Sequence, residues 1–260
     1  MHGDYVQGAL AQTTLLKGQY DQLTVQIEHL DCISFLKSLE KSSIDVLITD
    51  PAYSGMNNYL KLGSGRIVGK YQSENNQDWF EEFKDTEENY LAFLKTAYDV
   101  MKENSHIYIM FDSFSLLTLA PLVRKVFHVK NVIAWDKVNM GMGHYFRRRH
   151  EFIIFATKGN KKLLSRSIPD VWSIKRIRAN YPTQKPVELF QKMINASVTE
   201  GANVCDPFLG SGSSAIAALK SKCNFFGADI STKAHKLSQK RVKIFKEKGI
   251  DMLENHGKNF

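Results

Sequence analysis

Cysteine is scarce in this chain. Three of the 260 residues are cysteine, namely Cys32, Cys205 and Cys223. They are odd in number, far apart and outside any C-x-x-C pair, which argues against a disulfide framework or a zinc site and leaves three buried thiols as the expectation. Proline is sparse, with six in all, and the glycines are scattered, so no linker divides the chain. There is no internal repeat and no low-complexity tract, and a single domain is the expectation. No apolar run approaches the roughly 20 residues that a membrane span requires. The first twenty residues have neither the charged leader nor the apolar stretch of a signal peptide, so the expected location is the cytoplasm, with no membrane partner. What remains is a globular composition, 43% hydrophobic and 24% charged, which excludes disorder, collagen and coiled coil.

The charge is unevenly placed. Residues 147–192 hold twelve basic side chains (Arg147, Arg148, Arg149, Lys158, Lys161, Lys162, Arg166, Lys175, Arg176, Arg178, Lys185 and Lys192) against Glu151, Asp170 and Glu188, while the rest of the chain is close to neutral. A local surplus of this kind is the footprint of a polyanion, nucleic acid first, with a solvated face as the alternative. A second cationic run, 233–248, reads as an amphipathic helix with Lys236, Lys240, Lys243 and Lys246 mostly in solvent, and carries no function.

Apolar alternation or short β-rich runs predict strands at 23–29, 44–49, 106–111, 131–135, 151–156, 203–205 and 224–228. Helical spacing predicts a helix over 86–101, with Asp85 and Glu88 as a capping box, and another that Pro186 opens and that reaches Ser197. Strands alternating with helices imply an α/β sheet, mostly parallel, with ligands beyond the carboxyl ends of its strands. Function is then sought in the loops that follow strands.

Three such loops stand out. Asp206-Pro207-Phe208-Leu209-Gly210-Ser211-Gly212-Ser213-Ser214 is an acid and a G-x-G turn ahead of an Ala-rich helix, a form that lets backbone approach a ligand closely. The next strand ends at Asp229-Ile230, where an acid can accept hydrogen bonds from ribose hydroxyls. Together they fit an adenosine cofactor, dinucleotide or sulfonium. A tight turn with a helix cap is the bland alternative. The second loop, Asp50-Pro51-Ala52-Tyr53, presents a carboxylate, an outward carbonyl and an aromatic face at a strand end, a set able to hold an exocyclic amine on a planar base. The third is Tyr181-Pro182-Thr183-Gln184-Lys185-Pro186, just ahead of the G-x-G turn.

In this order the trio resembles the β-class amino-methyltransferases of DNA. That family has an Asp-Pro-Pro-Tyr catalytic motif, then a target-recognition segment, then Pro-Thr-Gln-Lys-Pro leading into an Asp-Pro-Phe-x-Gly-Ser-Gly cofactor loop. The resemblance spans residues 23–241 and includes Trp135-Asp136-Lys137 and the strand 151–156 with Lys158-Gly159 behind it. It implies a Rossmann-like methyltransferase fold, a mostly parallel seven-stranded sheet with helices on both faces. Within one domain it implies an N-terminal extension (1–22), a catalytic region (23–158), a short target-recognition segment (159–180) and a cofactor-binding region (181–260).

Carried over residue by residue, the resemblance places S-adenosyl-L-methionine against Asp206, Phe208, Gly210, Ser211, Gly212 and Ser213, and its ribose on Asp229, next to Ile230. Asp31 and Cys32 match a segment near the cofactor adenine, although Asp31 also suits the N-cap of a helix beginning near Ile33. Thr183, Gln184 and Lys185 match residues near the cofactor carboxylate, with Lys185 as its counter-ion. Asp50, Pro51 and Tyr53 match the catalytic motif. Ala52 stands where the family usually has proline, which bears on loop rigidity and leaves both acceptors in place. An aspartate at the first position usually accompanies adenine in this family, so the resemblance implies transfer to adenine N6. No metal is required. The target base cannot be reached inside a duplex and has to be flipped out of double-stranded DNA.

Arg147 and Arg149, expected on one face with Arg148 opposite, are candidate phosphate contacts, and Arg176 and Arg178 are candidate readers of base edges. Residues 57–85 read as a loop over the catalytic site. The recognition segment is short, so recognition is expected either to be brief or to be shared with that loop and a second subunit, as in a homodimer. Competing readings are N4-cytosine methylation on the same fold, a catalytically silent DNA-binding module, and a dinucleotide oxidoreductase, which leaves the Asp50 and Lys185 loops without a purpose.

Overall fold

The computed structural model describes residues 20–51, 83, 86–141, 145–177, 181 and 183–254. Its organising strand is β2 (Ile44–Thr49), Ile-Asp-Val-Leu-Ile-Thr, buried along almost its whole length. A strand covered on both faces cannot alternate apolar with polar, so it reads as a continuous apolar run. Its alternation goes instead into two cores. Val46 and Ile48 pack with Tyr108 and Met110 on one face, whereas Leu47 packs with Ile107, Ile109 and Phe111 on the other.

Around β2 lie β1 (Val25–Glu28), β3 (Met101–Phe111), β4 (His128–Asp136), β5 (His150–Lys158), β6 (Val171–Ser173), β7 (Asn203–Asp206) and β8 (Asn224–Ala228). They form one sheet in the order β1-β8-β7-β2-β3-β5-β4-β6. β5 runs antiparallel to both of its neighbours, and every other pairing is parallel. The expected sheet had seven strands and the observed one has eight. The addition is β6, paired with β4 through Trp135 and Trp172, and three residues are too few to declare an alternation in sequence. It occupies part of the segment read as target recognition.

Helices cover both faces. α1 (Cys32–Ser38) and α2 (Glu87–Val100) bury Phe35, Leu36, Tyr90, Phe93, Leu94 and Ala97 in one core, roofed by the single turns α3 (Ser115–Thr118) and α4 (Ala120–Val123). α5 (Val187–Ser197), α6 (Ser213–Lys220) and α7 (Thr232–Lys248) bury Leu189, Phe190, Met193, Ile216, Val242 and Phe245 in the other. Each of the Leu, Ile, Val, Phe and Met side chains among them contributes about 1.5–3 kcal/mol by leaving water. α2 is capped by Thr86, whose hydroxyl accepts from Asn89 N at 3.2 Å. That cap lies one residue beyond the acid expected to do it, and Asp85 lies outside the described residues. Among the described residues no helix is long and apolar enough to cross a membrane.

From β7 the chain passes through α6 to β8 on one side of the sheet, and from β2 it passes by way of α2 to β3 on the other. The carboxyl ends of β7 and β2 therefore flank the point where the winding reverses, the place where open α/β sheets hold their ligands.

Candidate active site

β7 ends in Asp206, and Asp50 follows β2 directly, so the reversal point presents two carboxylates. The strand ends are tied by Thr49 Oγ1, which donates to Asp206 Oδ1 at 2.9 Å. Asp206 is 1% exposed and also accepts from Phe208 N at 3.0 Å and from Ser214 Oγ at 2.5 Å. Burial pushes its pKa up to about 7 against these donors. Asp206 is thus the inward anchor of the loop that follows it.

That loop turns on Gly210 (φ 53°) and Gly212 (φ 81°). A Cβ on Gly212 would stand 3.0 Å from Ser238 Cβ, and one on Gly210 3.3 Å from the Tyr181 hydroxyl, so the loop is pressed between α7 and the segment ahead of α5. Ser211 and Ser213 turn inward, with their hydroxyls 3.2 Å apart. Behind them Arg241 of α7, fully buried, donates from Nη1 to Ser211 O at 2.9 Å and Ser213 Oγ at 3.1 Å. Its other face is a bidentate pair with Asp251, both bonds 2.7 Å. Phe208 packs edge-on against Phe93 and Phe83.

Asp229 follows β8. Its Oδ2 accepts Gly210 N at 2.7 Å and its Oδ1 accepts Ser231 N at 2.8 Å, while burial raises its pKa. A carboxylate has about four acceptor directions, so about two remain for further donors. Ile230 is exposed beside it, its carbonyl 2.8 Å from His29 Nε2. Across the same sheet end, Asp31 caps α1 by accepting Ile33 N at 3.0 Å and Ser34 N at 2.9 Å. Burial works against its charge, but the hydrogen bonds from Ser34 and Ile33 outweigh it and hold Asp31 below the usual carboxylate range. Cys32 is buried, and burial with the Asp31 charge pushes its thiol up to about 12, an inert thiol. Cys205 and Cys223 are buried and free as well.

In the third loop Tyr181 is buried and Thr183 is held at φ 59°, a strained setting for a β-branched residue. Gln184 is 5% exposed, yet neither its Oε1 nor its Nε2 has a hydrogen-bond partner among the described residues. An unpaired buried amide costs about 1–3 kcal/mol, which suits a group kept for a ligand. Beside it, Lys185 is ion-paired with Asp50 Oδ2 and lies 3.8 Å from Glu151 Oε2. Burial raises the pKa of Asp50, opposed by Lys185 and reinforced by the Glu151 and Asp112 charges. Lys185 is raised in turn because its two acids outweigh its own burial. Pro51 is buried at the same strand end, and Ala52 and Tyr53 lie outside the described residues.

This arrangement agrees with what comparison of the whole chain finds. Residues 44–240 match the N6/N4 family of DNA methylases. The chain belongs to that family. The methylase is 26% identical over 271 residues to the type II methyltransferase M2.DpnII of Streptococcus pneumoniae, covering 95% of this chain and 98% of that one. It is 23% identical over 257 residues to the DNA adenine methyltransferase YhdJ of Escherichia coli K12, with 84% and 82% covered. Among solved structures it superposes on the M1.HpyAVI–SAM complex with a TM-score of 0.60 at 21% identity, over 84% of this chain and all of that one. The cytosine-N4-specific PvuII DNA methyltransferase gives 0.64 at 13% identity, over 83% and 85%. The fold is that of the S-adenosylmethionine-dependent methyltransferases.

The methylase's basic stretch is less uniform than its sequence implies. Lys158 is buried and donates to the carbonyls of Tyr98 and Met101 at 2.8 and 2.7 Å, and Lys185 belongs to the site. Arg148 stacks 4.8 Å over Phe114 and reaches Asp112 at 4.0 Å. Arg147 and Arg149 are exposed, Arg147 on Gly141 O and Arg149 in a bidentate pair with Asp136 at 2.6 Å. Arg176 is half-buried with its Nε unpartnered among the described residues, and Arg178 lies outside them. No group among the described residues could hold a metal ion.

Several participants were not singled out as site residues in the sequence. Glu151 is held at 2.9 Å by Nζ of Lys137, which follows β4, the strand whose Trp135 is the register partner of Glu151. The visible signal was a polar residue opening an otherwise apolar strand. Arg241 gave none, since it sits in a run of solvent-facing lysines.

Proposed function

We propose that this methylase transfers a methyl group from S-adenosyl-L-methionine to N6 of an adenine flipped out of double-stranded DNA, at a specific site, as the modifying partner in a type II restriction-modification system. The observation that carries the reading is the Asp50 carboxylate at the reversal point of the sheet, charge-paired and 26% exposed, next to a glycine loop that suits the cofactor. The orphaned Gln184 amide and the glycine loop tied to Asp229 fit the cofactor, with Asp229 on its ribose and the loop around its methionine part. When bound, the cofactor supplies an electrophilic methyl on a sulfonium.

An exocyclic amine is a poor nucleophile because its lone pair is delocalised into the ring. Asp50 and the carbonyl of Pro51 each accept one N6 hydrogen, which draws the nitrogen toward tetrahedral geometry and frees that lone pair. The nitrogen becomes strongly acidic as it is alkylated, so Asp50 receives its proton without being a strong base. Tyr53 stacks on the base. Arg147 and Arg149, on the edge that carries Asp50, hold phosphates on either side. The experiment is methylation of DNA with labelled cofactor, followed by nucleoside analysis. N6-methyladenine is expected; N4-methylcytosine overturns the adenine assignment, and no incorporation overturns the enzyme.

A further inference from the structure

Around Asp50 two lysines alternate with two carboxylates. Asp50 Oδ2 meets Lys185 Nζ, Lys185 Nζ lies 3.8 Å from Glu151 Oε2, and Glu151 Oε1 meets Lys137 Nζ at 2.9 Å. The four side chains are between 13% and 26% exposed, sheltered enough for charge to act strongly across the row. They come from four places, the end of β2, the loop before α5, the start of β5 and the end of β4, so the row exists only in the folded sheet.

We propose that Lys185 is the positioning residue of the catalytic carboxylate. Its ammonium occupies Asp50 Oδ2, holds that carboxylate ionised and oriented, and leaves Oδ1 to meet the amine. This rests on Asp50 being the proton acceptor. It differs from a role as counter-ion to the cofactor carboxylate, because the ammonium is turned to Asp50 and Glu151 while the neighbouring Gln184 amide is the group left unpaired among the described residues.

The charges facing Asp50 explain why a cation is needed there. Glu151 on β5 and Asp112 at the end of β3 both oppose its ionisation, and buried Asp206 at the end of β7 lies close enough to be influenced by it. Arg148 reaches Asp112 at 4.0 Å, and Lys137 is bonded to Glu151, so each partly neutralises an acid at one remove. Buried Tyr181 feels the Asp50 charge too, and its phenol is held neutral by burial. Lys185 alone bonds Asp50 among the described residues. Without it the carboxyl takes up a proton and can no longer accept one from the amine.

The test is the pH dependence of methyl transfer at saturating DNA and cofactor, with cofactor affinity measured separately by calorimetry. In Lys185→Met the acid limb should move to higher pH by about 1–3 units, the span an adjacent opposite charge commands, with activity recovering in alkali. Lys185→Arg should keep the limb near wild type. Glu151→Gln should move it the other way, and adding Glu151→Gln to Lys185→Met should bring it part of the way back. Cofactor affinity should stay near wild type throughout. An unmoved limb in Lys185→Met, or a loss expressed wholly as weaker cofactor binding, overturns the proposal. Should Lys185→Met fail to fold, the Arg and Gln variants decide it by the same shifts. Asp50→Ala separates the two levels: if it still transfers methyl groups the catalytic reading falls and this one with it, whereas if Asp50→Ala is inactive and the limb of Lys185→Met is unmoved, only Lys185 loses its role.

Discussion

Asp229 and Gly210, nineteen residues apart, are joined by a 2.7 Å bond from the Gly210 amide to Asp229 Oδ2, so the acid proposed to hold the cofactor ribose is also the strut between the loop after β7 and the loop after β8. Asp229→Ala should therefore weaken S-adenosylmethionine binding by more than a surface ligand would, at least the ~1.5–3 kcal/mol of hydrogen bonds to a charged group. Asp229→Asn, which can still accept the Gly210 amide, should retain part of that affinity. Calorimetry on both variants checks this, and unchanged affinity in Asp229→Ala would remove the residue from the site.

Asp50 lies beyond a strand end and its pairing partner among the described residues is a single lysine, so it is not required for the sheet. Asp50→Ala should bind cofactor as wild type does and lose methyl transfer. Binding by calorimetry and incorporation of labelled methyl, measured on the same preparation, separate the two effects.

The Arg241–Asp251 pair is fully buried, and removing one member of such a pair leaves an uncompensated charge. Arg241→Met should destabilise the fold by about 3–5 kcal/mol in chemical denaturation. It should also loosen the cofactor loop, because Ser211 and Ser213 lose the group that seats them.

Asp206 supplies a pH signature. Its folded pKa, about 7, lies above the ordinary carboxylate value of 3.8, so the native state binds the proton more tightly than the unfolded chain does. Stability from this group is full below the unfolded value and is lost as pH rises through the folded one. Asp206→Asn should thus gain stability relative to wild type as pH is raised from about 4 to 7. Denaturation midpoints across that range give the comparison, and a constant difference would show that Asp206 stays ionised in the fold.

On DNA, Arg147 and Arg149 should part company. Among the described residues Arg147 bonds only a backbone carbonyl, so Arg147→Ala should flatten the log-log salt slope by about 0.9 and weaken all duplexes alike. Arg149 is already neutralised by Asp136, so Arg149→Ala should change the slope less. Arg176→Ala should cost ~1–3 kcal/mol on the cognate site and little elsewhere if Arg176 reads a base edge. Affinity against salt on cognate and unrelated duplexes measures all three.

The sequence by itself determined the two-sided α/β sheet, the strand ends that bear function, the three loops and their order. Apolar periodicity is a local property, and a strand-end acid followed by proline or glycine is a local conformational instruction. Asp31 as an N-cap and Pro186 as a helix opener were legible for the same reason. Only the tertiary structure decided which charges meet. Asp50 and Lys185 are 135 residues apart and Thr49 and Asp206 157 apart, and parallel strands bring such pairs together through crossovers that leave no pairing signal in the chain. Burial likewise depends on every neighbour at once, which is why Lys158 and Arg241 counted as surface charge in the sequence and proved to be interior struts. β6 was invisible because it is too short to alternate and exists by pairing its Trp172 with Trp135 of β4.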